Sequence, residues 1–142
     1  MLSRGECRRE IVTLHDFFVD WYTGVADRAS FETFEHTLQE DFEMITPSGE
    51  LLERQSVIEL VETKRDRYDR GTFDIEIENV DVIEATDRLT VCRYEEHQHG
   101  PTETSARLST ALLAPSEEVG TEDPQIEWRY VHETWLDDAA GT

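Results

Sequence analysis

Three stretches decide the fold: LTVCRYEEHQ at 89–98, TSARLSTALL at 104–113 and QIEWRYVHETWL at 125–136. Each alternates two kinds of side chain with a period of two, the signature of a β-strand. Gly100-Pro101 joins the first pair and a polar loop, Pro115–Pro124, joins the second. One parity set holds Cys92, Tyr94, Glu96 and Gln98, then Ala106, Leu108, Thr110 and Leu112, then Trp128, Tyr130, His132 and Thr134. The other holds Arg93, Glu95 and His97, then Ser105, Arg107 and Ser109, then Glu127, Arg129 and Glu133. A turn centred near residue 101 pairs Glu96 with Ala106 and Glu95 with Arg107. On that register the charged set faces solvent and the first set lines a concave face.

Upstream, residues 10–25 place Ile11, Leu14, Phe18, Trp21, Tyr22 and Val25 at helical spacing. Ser30 reads as the N-cap of a second, short helix carrying Phe31, Phe34 and Leu38. Asp41–Thr46 alternates like a strand, Pro47-Ser48-Gly49 is a turn and Glu50–Glu53 is a short returning strand. A third helix is expected over 54–69, stopped by Gly71. Phe73, Ile75 and Ile77 share one parity and Val80 and Val82 the other, so a β-bulge is expected near Glu78-Asn79. Helices first and a long meander after them give an α+β fold, with helices covering one face of a mainly antiparallel sheet.

The 142 residues suit one domain across 1–142, with its core at about 8–136. No apolar run approaches the ~18 residues of a membrane span, and the start has no apolar leader segment. With only Cys7 and Cys92, a disulfide scaffold is not expected, and the reading is a cytoplasmic protein with reduced thiols. The 33 acids and 13 bases give a net charge of −20, and 12 of the bases are Arg, leaving Lys64 as the single lysine. Acids are spread along the whole chain, so the folded form repels itself. Such a composition suits a salt-rich cytoplasm, as in halophilic organisms, and disfavours a nucleic-acid partner, which needs clustered bases. The seven glycines form no phosphate-cradling cluster, and neither a metal nor a cofactor is implied.

The order of elements, with the segment Asp41-Phe42-Glu43-Met44-Ile45-Thr46-Pro47-Ser48-Gly49 and the closing Trp128-Arg129-Tyr130-Val131-His132-Glu133-Thr134-Trp135, resembles the NTF2-like superfamily. Within it the chain looks most like the SnoaL-like and DUF4440-type small domains, over roughly 8–136. The resemblance implies a cone-shaped α+β barrel of three helices on a curved sheet, a deep pocket between them, and frequent dimers. Members include isomerases, dehydratases, cyclases and hydrolases, and also non-catalytic binding modules, so the fold does not fix the function. Ketosteroid-isomerase-like members carry a general-base Asp before the turn proline and a helix-borne Tyr. Thr46, Phe17 and Phe18 stand in those regions here, which argues against that chemistry.

Glu96 and His132 are the candidate acid–base pair, although one intervening strand would hold them ~10 Å apart, with a ligand between. Trp21, Phe18, Tyr22, Met44, Tyr94, Gln98, Leu108, Trp128 and Tyr130 are the candidate pocket lining for a small, flat or apolar ligand. His15 borders the apolar stripe of the first helix and fits either core or site. Glu95, His97 and His99 have metal-ligand spacing but read better as solvated residues, and Cys92 as a small core residue. Leu89, Val91, Ala111, Leu113, Val131 and Trp135 form an expected apolar patch on the convex face, suited to a homodimer contact. The function expected is a small-molecule pocket, either a cofactor-independent isomerase, lyase or hydrolase, or a non-catalytic ligand-binding or dimerisation module.

The charge makes one expectation testable. At ~1 M salt the Debye length falls to ~3 Å and surface repulsion is screened. The melting temperature should rise steadily from dilute buffer to molar KCl. A flat profile would remove the case for salt adaptation.

Overall fold

The computed structural model describes residues 1–115 and 125–136; of the expected loop Pro115–Pro124, Pro115 ends the last strand before it and 116–124 lie outside the described residues. Helices α1 (Arg4–Tyr22), α2 (Arg28–Thr37) and α3 (Arg54–Thr63) accompany strands β1 (Leu38–Ile45), β2 (Leu51–Glu53), β3 (Asp74–Ala85), β4 (Thr90–His99), β5 (Thr104–Pro115) and β6 (Ile126–Trp135). The strands form one sheet in the order β2-β1-β6-β5-β4-β3. All neighbours are antiparallel except β1 and β6, which run parallel. Among the described residues, no helix is long and apolar enough to cross a membrane.

Two helix starts differ from the sequence reading, and local hydrogen bonding explains both. α1 begins six residues earlier because Ser3 and Glu6 form a reciprocal capping box, satisfying two orphan donors at the helix start. α2 is capped by Asp27 rather than Ser30, because Asp27 Oδ1 accepts from Ser30 N at 2.9 Å. α3 is shorter than expected and ends at Thr63. The chain beyond it docks on the end of α1, with Asp66 N on Trp21 O and Tyr68 N on Tyr22 O. That docking brings Lys64 beside Tyr22, its amine 5.5 Å from the ring centre. The β3 bulge lies where the change of parity put it: the register shifts between Glu78 and Asp81, and Asn79 takes a φ of 53°.

Burial of α1 follows its spacing: Cys7, Ile11, Leu14 and His15 face the sheet, then Trp21 and Tyr22. Trp21 is fully buried against Phe31 and donates its indole N–H to Val61 O at 2.9 Å. The two cysteines are buried and free; burial pushes the Cys92 thiol up to about 12, which makes it an inert core group.

The register of the meander differs from the expectation, and the difference moves side chains through the sheet. Gly100 N bonds Glu103 O, and this wider turn sets Glu96 opposite Arg107 and Glu95 opposite Leu108. A shift of one residue inverts a whole strand. Arg107, Ser109, Ala111 and Leu113 of β5 therefore share the inner face with Glu96, while Leu108, Thr110 and Leu112 face outward. A second irregularity lies between β5 and β6, where Leu113 meets Trp128 but Leu112 meets Tyr130. Arg129 is the extra residue, so Trp128 stays inside and the parity inverts after it. Val131 and Glu133 point in; Tyr130 and His132 point out. The expected convex patch is corrected accordingly: Ala111, Leu113 and Val131 belong to the buried core.

Gly24 tests the docking of the segment after α3. It has a φ of 77°, and a Cβ there would collide with the Asp66 carboxylate. Gly24→Ala should destabilise the fold by ~1–3 kcal/mol in denaturant titration at high salt. An unchanged midpoint would show that this junction is not packed as described.

Candidate functional site

The inner face of β4, β5 and β6, closed over by α1 and the end of α3, encloses a cavity of about 340 Å³. That lies in the range of small-molecule sites, ~300–1,000 Å³. Phe18, Tyr22, Met44, Tyr94 and Trp128 supply its aromatic and apolar walls. One end is polar. His15, Glu96, Gln98, Arg107 and Glu133 meet there, and Lys64 borders the same space.

These groups form a continuous chain of contacts. His15 sits one turn past Ile11, so its Nδ1–H donates back to the Ile11 carbonyl at 2.7 Å. A carbonyl only accepts, so Nδ1 holds a proton and Nε2 is left for Glu96 Oε1 at 2.9 Å. Gln98, two residues on and on the same face, donates to Glu96 Oε2 at 2.6 Å. Arg107, directly across from Glu96, has its Nε 3.9 Å from that same oxygen and its Nη1 3.2 Å from Glu133 Oε1. Ser109 Oγ donates to Glu133 Oε2 at 3.4 Å. The guanidinium also covers the Trp135 ring, 4.9 Å from its centre.

The two carboxylates are buried to similar degrees, Glu96 4% and Glu133 5% exposed, yet they differ chemically. Burial raises the pKa of each. At Glu96 the adjoining His15, then Arg107 and Gln98, outweigh burial and hold the carboxyl well below its usual range. His15 responds in kind: burial opposes its charge, the Glu96 carboxylate outweighs burial, and its pKa is raised. Both shifts favour the charged forms, so His15 and Glu96 hold each other toward an imidazolium–carboxylate pair. Glu133 is left with burial and the repulsion of Glu96, only partly offset by Arg107, and is pushed up to about 7. Two carboxylates with separated proton affinities divide the roles of fixed charge and exchangeable proton.

The sequence-selected residues fall into three groups. Glu96, Gln98, Phe18, Tyr22, Met44, Tyr94 and Trp128 border the cavity. Trp21 does not; it lies behind the lining, wholly in the core. His132, Leu108 and Tyr130 are on the opposite face of the sheet, for the reasons of register given above, and His132 is exposed. His15, which the sequence leaves open between core and site, belongs to the polar end, and Lys64, Arg107, Ser109 and Glu133, for which the sequence gives no site reading, join it there. Arg107 carries a usable signal, a lone charge within the otherwise small and apolar segment Ser105–Leu113, whereas Glu133 lies beside His132 and Thr134 and carries none of that kind. On the outer face, Glu78, Glu95 and His97 bring their ligand atoms within 4.8 Å of one another and could offer three ligands to a metal. His97 Nε2 there lies 3.0 Å from Glu95 and 3.1 Å from Glu78, so contacts within the group already account for the cluster. His99 faces Glu76 at 3.6 Å.

The chain matches no protein-family model and no curated protein. Among solved structures it is similar to an NTF-2 like protein of unknown function from Pseudomonas aeruginosa, at 28% identity and a TM-score of 0.82, covering 92% of this chain and 98% of that one. It is also similar in fold to ActVI-ORFA from Streptomyces coelicolor, at 15% identity and a TM-score of 0.58, covering 92% and 98% of the two chains. The beta subunit of the benzoate 1,2-dioxygenase from Burkholderia mallei superposes with a TM-score of 0.62 at 11% identity, covering 97% and 93%. These likenesses, with three helices on a curved, six-stranded, mostly antiparallel sheet, identify the fold as NTF2-like.

Proposed function

We propose that the chain binds a small organic molecule in the cavity between sheet and helices and transfers a proton to or from it without a cofactor, as an isomerase or lyase of the SnoaL-like kind. One observation carries this reading: a carboxyl group, Glu133, whose pKa is pushed up to about 7, lines an aromatic-walled cavity. A group that titrates near neutrality can both give and take a proton at working pH. Glu96, held ionised by His15, raises the proton affinity of Glu133 by repulsion that His15 and Arg107 only partly offset, and Arg107 lies between the two carboxylates. Arg107 then stands where negative charge on a reacting oxygen would develop. Glu96 and Glu133 replace Glu96 and His132 as the acid–base candidates. A non-catalytic binding module would use the same cavity without needing an exchangeable proton in it.

We also propose that a second copy covers the convex face, where Val91, Leu108, Leu112 and Tyr130 now form the outward apolar set. Light scattering in molar KCl should give twice the chain mass, and a monomer would remove this contact.

Proton transfer is tested with a flat ring ketone, 1-indanone, in deuterated buffer, following loss of its α-proton signal by NMR. The native chain should accelerate exchange, and Glu133→Gln should lower the rate ~10²–10⁴-fold, the usual contribution of a positioned acid–base group. Acceleration that survives in Glu133→Gln, or none at all over buffer, would overturn the reading.

The same residue gives a stability test. Glu133 has a folded pKa above its ordinary 4.5 and near 7, so the folded form holds the extra proton between those values. Its share of stability is complete at low pH and is lost as pH rises from about 4.5 to 7. Urea unfolding across that window should show a downward component in the native chain that is missing in Glu133→Gln. Equal slopes in the two would place the Glu133 titration in its ordinary range.

A further inference from the structure

We infer that the ligand of the cavity is an anion: a flat, apolar body carrying one carboxylate, with the carboxylate set between Lys64 and Arg107. The inference rests on the small-molecule reading above and specifies the ligand class.

Positive charge at the polar end of the cavity is incompletely matched. Most Lys and Arg side chains of this protein are exposed on its surface, whereas Lys64 and Arg107 are half-buried against the cavity. Lys64 is the single lysine, and it borders the cavity. Among the described residues, no carboxylate lies within ion-pair distance of its amine. Its amine faces the Tyr22 ring, and it feels the positive fields of Arg107 and Arg67 and, less strongly, the negative fields of Glu96 and Glu133. Burial and the two arginines outweigh those carboxylates and pull its pKa down, as expected of a lysine with no carboxylate in direct contact. Arg107 is also incompletely satisfied: its Nε is buried with no hydrogen-bond acceptor, although Nη1 reaches Glu133. A bare buried donor is rare and destabilising in a native fold.

The ionisable groups of the walls confirm the imbalance. Inside the cavity three cations, His15, Lys64 and Arg107, face two carboxylates, Glu96 and Glu133, with Glu50 exposed at the rim. His15 is consumed by Glu96. Glu133 is the carboxyl whose ionised form is less favoured, so near neutral pH Arg107 relies chiefly on Glu96, 3.9 Å from its Nε and already shared with His15. A molecule of net charge −20 thus keeps a positive interior end in its cavity, walled by Phe18, Tyr22 and Tyr94. A carboxylate entering there would supply Lys64 with its missing partner, and the aromatic walls would take the apolar body. In this low-dielectric setting the pairing resists salt screening better than a surface pair does.

The test compares benzoate with benzamide, a neutral isostere, by titration calorimetry and saturation-transfer NMR on the full chain in molar KCl. Benzoate should bind at least about tenfold tighter than benzamide, the size of one charge-assisted contact. Lys64→Met should bring benzoate down to the benzamide level, and Lys64→Arg, which keeps the charge, should hold the preference. Equal binding of the two probes, or a preference untouched in Lys64→Met, would overturn the anion assignment and leave the small-molecule cavity standing. Absence of binding by both probes, together with no exchange of 1-indanone, would overturn both.

Discussion

The pairing of Glu96 with Arg107 across β4 and β5 is the constraint on which the site depends. It is fixed by the turn in which Gly100 bonds Glu103, several residues from either side chain. One residue fewer in that turn would send Arg107 and Ser109 to solvent and leave Glu96 buried opposite Ala106. A buried carboxylate without its cations is strongly destabilising, so the charge cluster and the register support each other. The cluster extends to α1 through His15, which tethers the helix to the sheet at the buried, polar end of the cavity.

The same constraint explains why two buried glutamates behave differently. Glu96 has His15, Gln98 and a share of Arg107; Glu133 has the other side of Arg107 and the Ser109 hydroxyl. Both cannot hold a full charge at low cost in one small volume. The better-solvated partner set wins the charge, and the other carboxyl keeps its proton nearer to neutral pH. The asymmetry follows from which neighbours the register delivers to each group and needs no special residue type. The bulge at Arg129 contributes equally, since without it His132 rather than Glu133 would face inward.

Much of this was legible in the sequence, and the misread parts share one cause. Element order, the α+β class and the bulge at Asn79 follow from local spacing and turn residues. Cys92, Tyr94, Glu96 and Gln98 read correctly as one inward face because β4 has an unambiguous alternation. β5 does not: Thr104–Leu113 mixes small, polar and apolar residues on both parities, so its orientation depends on turn geometry that the residue types of Gly100–Glu103 do not specify. β6 fails differently, since Trp128 and Val131 are both inside and only an irregularity between them reconciles their parity. His15 remained open in the sequence because its role depends on a residue 81 positions away. Lys64 was visible as the one lysine, but its place at the cavity depends on the docking of the α3 terminus onto Tyr22.

Thiol-labelling rates measure the orientation of β5 and β6 directly, because the native Cys7 and Cys92 are fully buried and should stay silent. Ser109→Cys and His132→Cys, labelled separately at high salt, report the two faces. Protection of the cysteine at 109 with rapid labelling at 132 is the outcome expected of an inward Arg107–Ser109–Glu133 face. Rapid labelling at 109 with protection at 132 would contradict it, and the charge cluster, the cavity chemistry and the anion assignment would all fall with it.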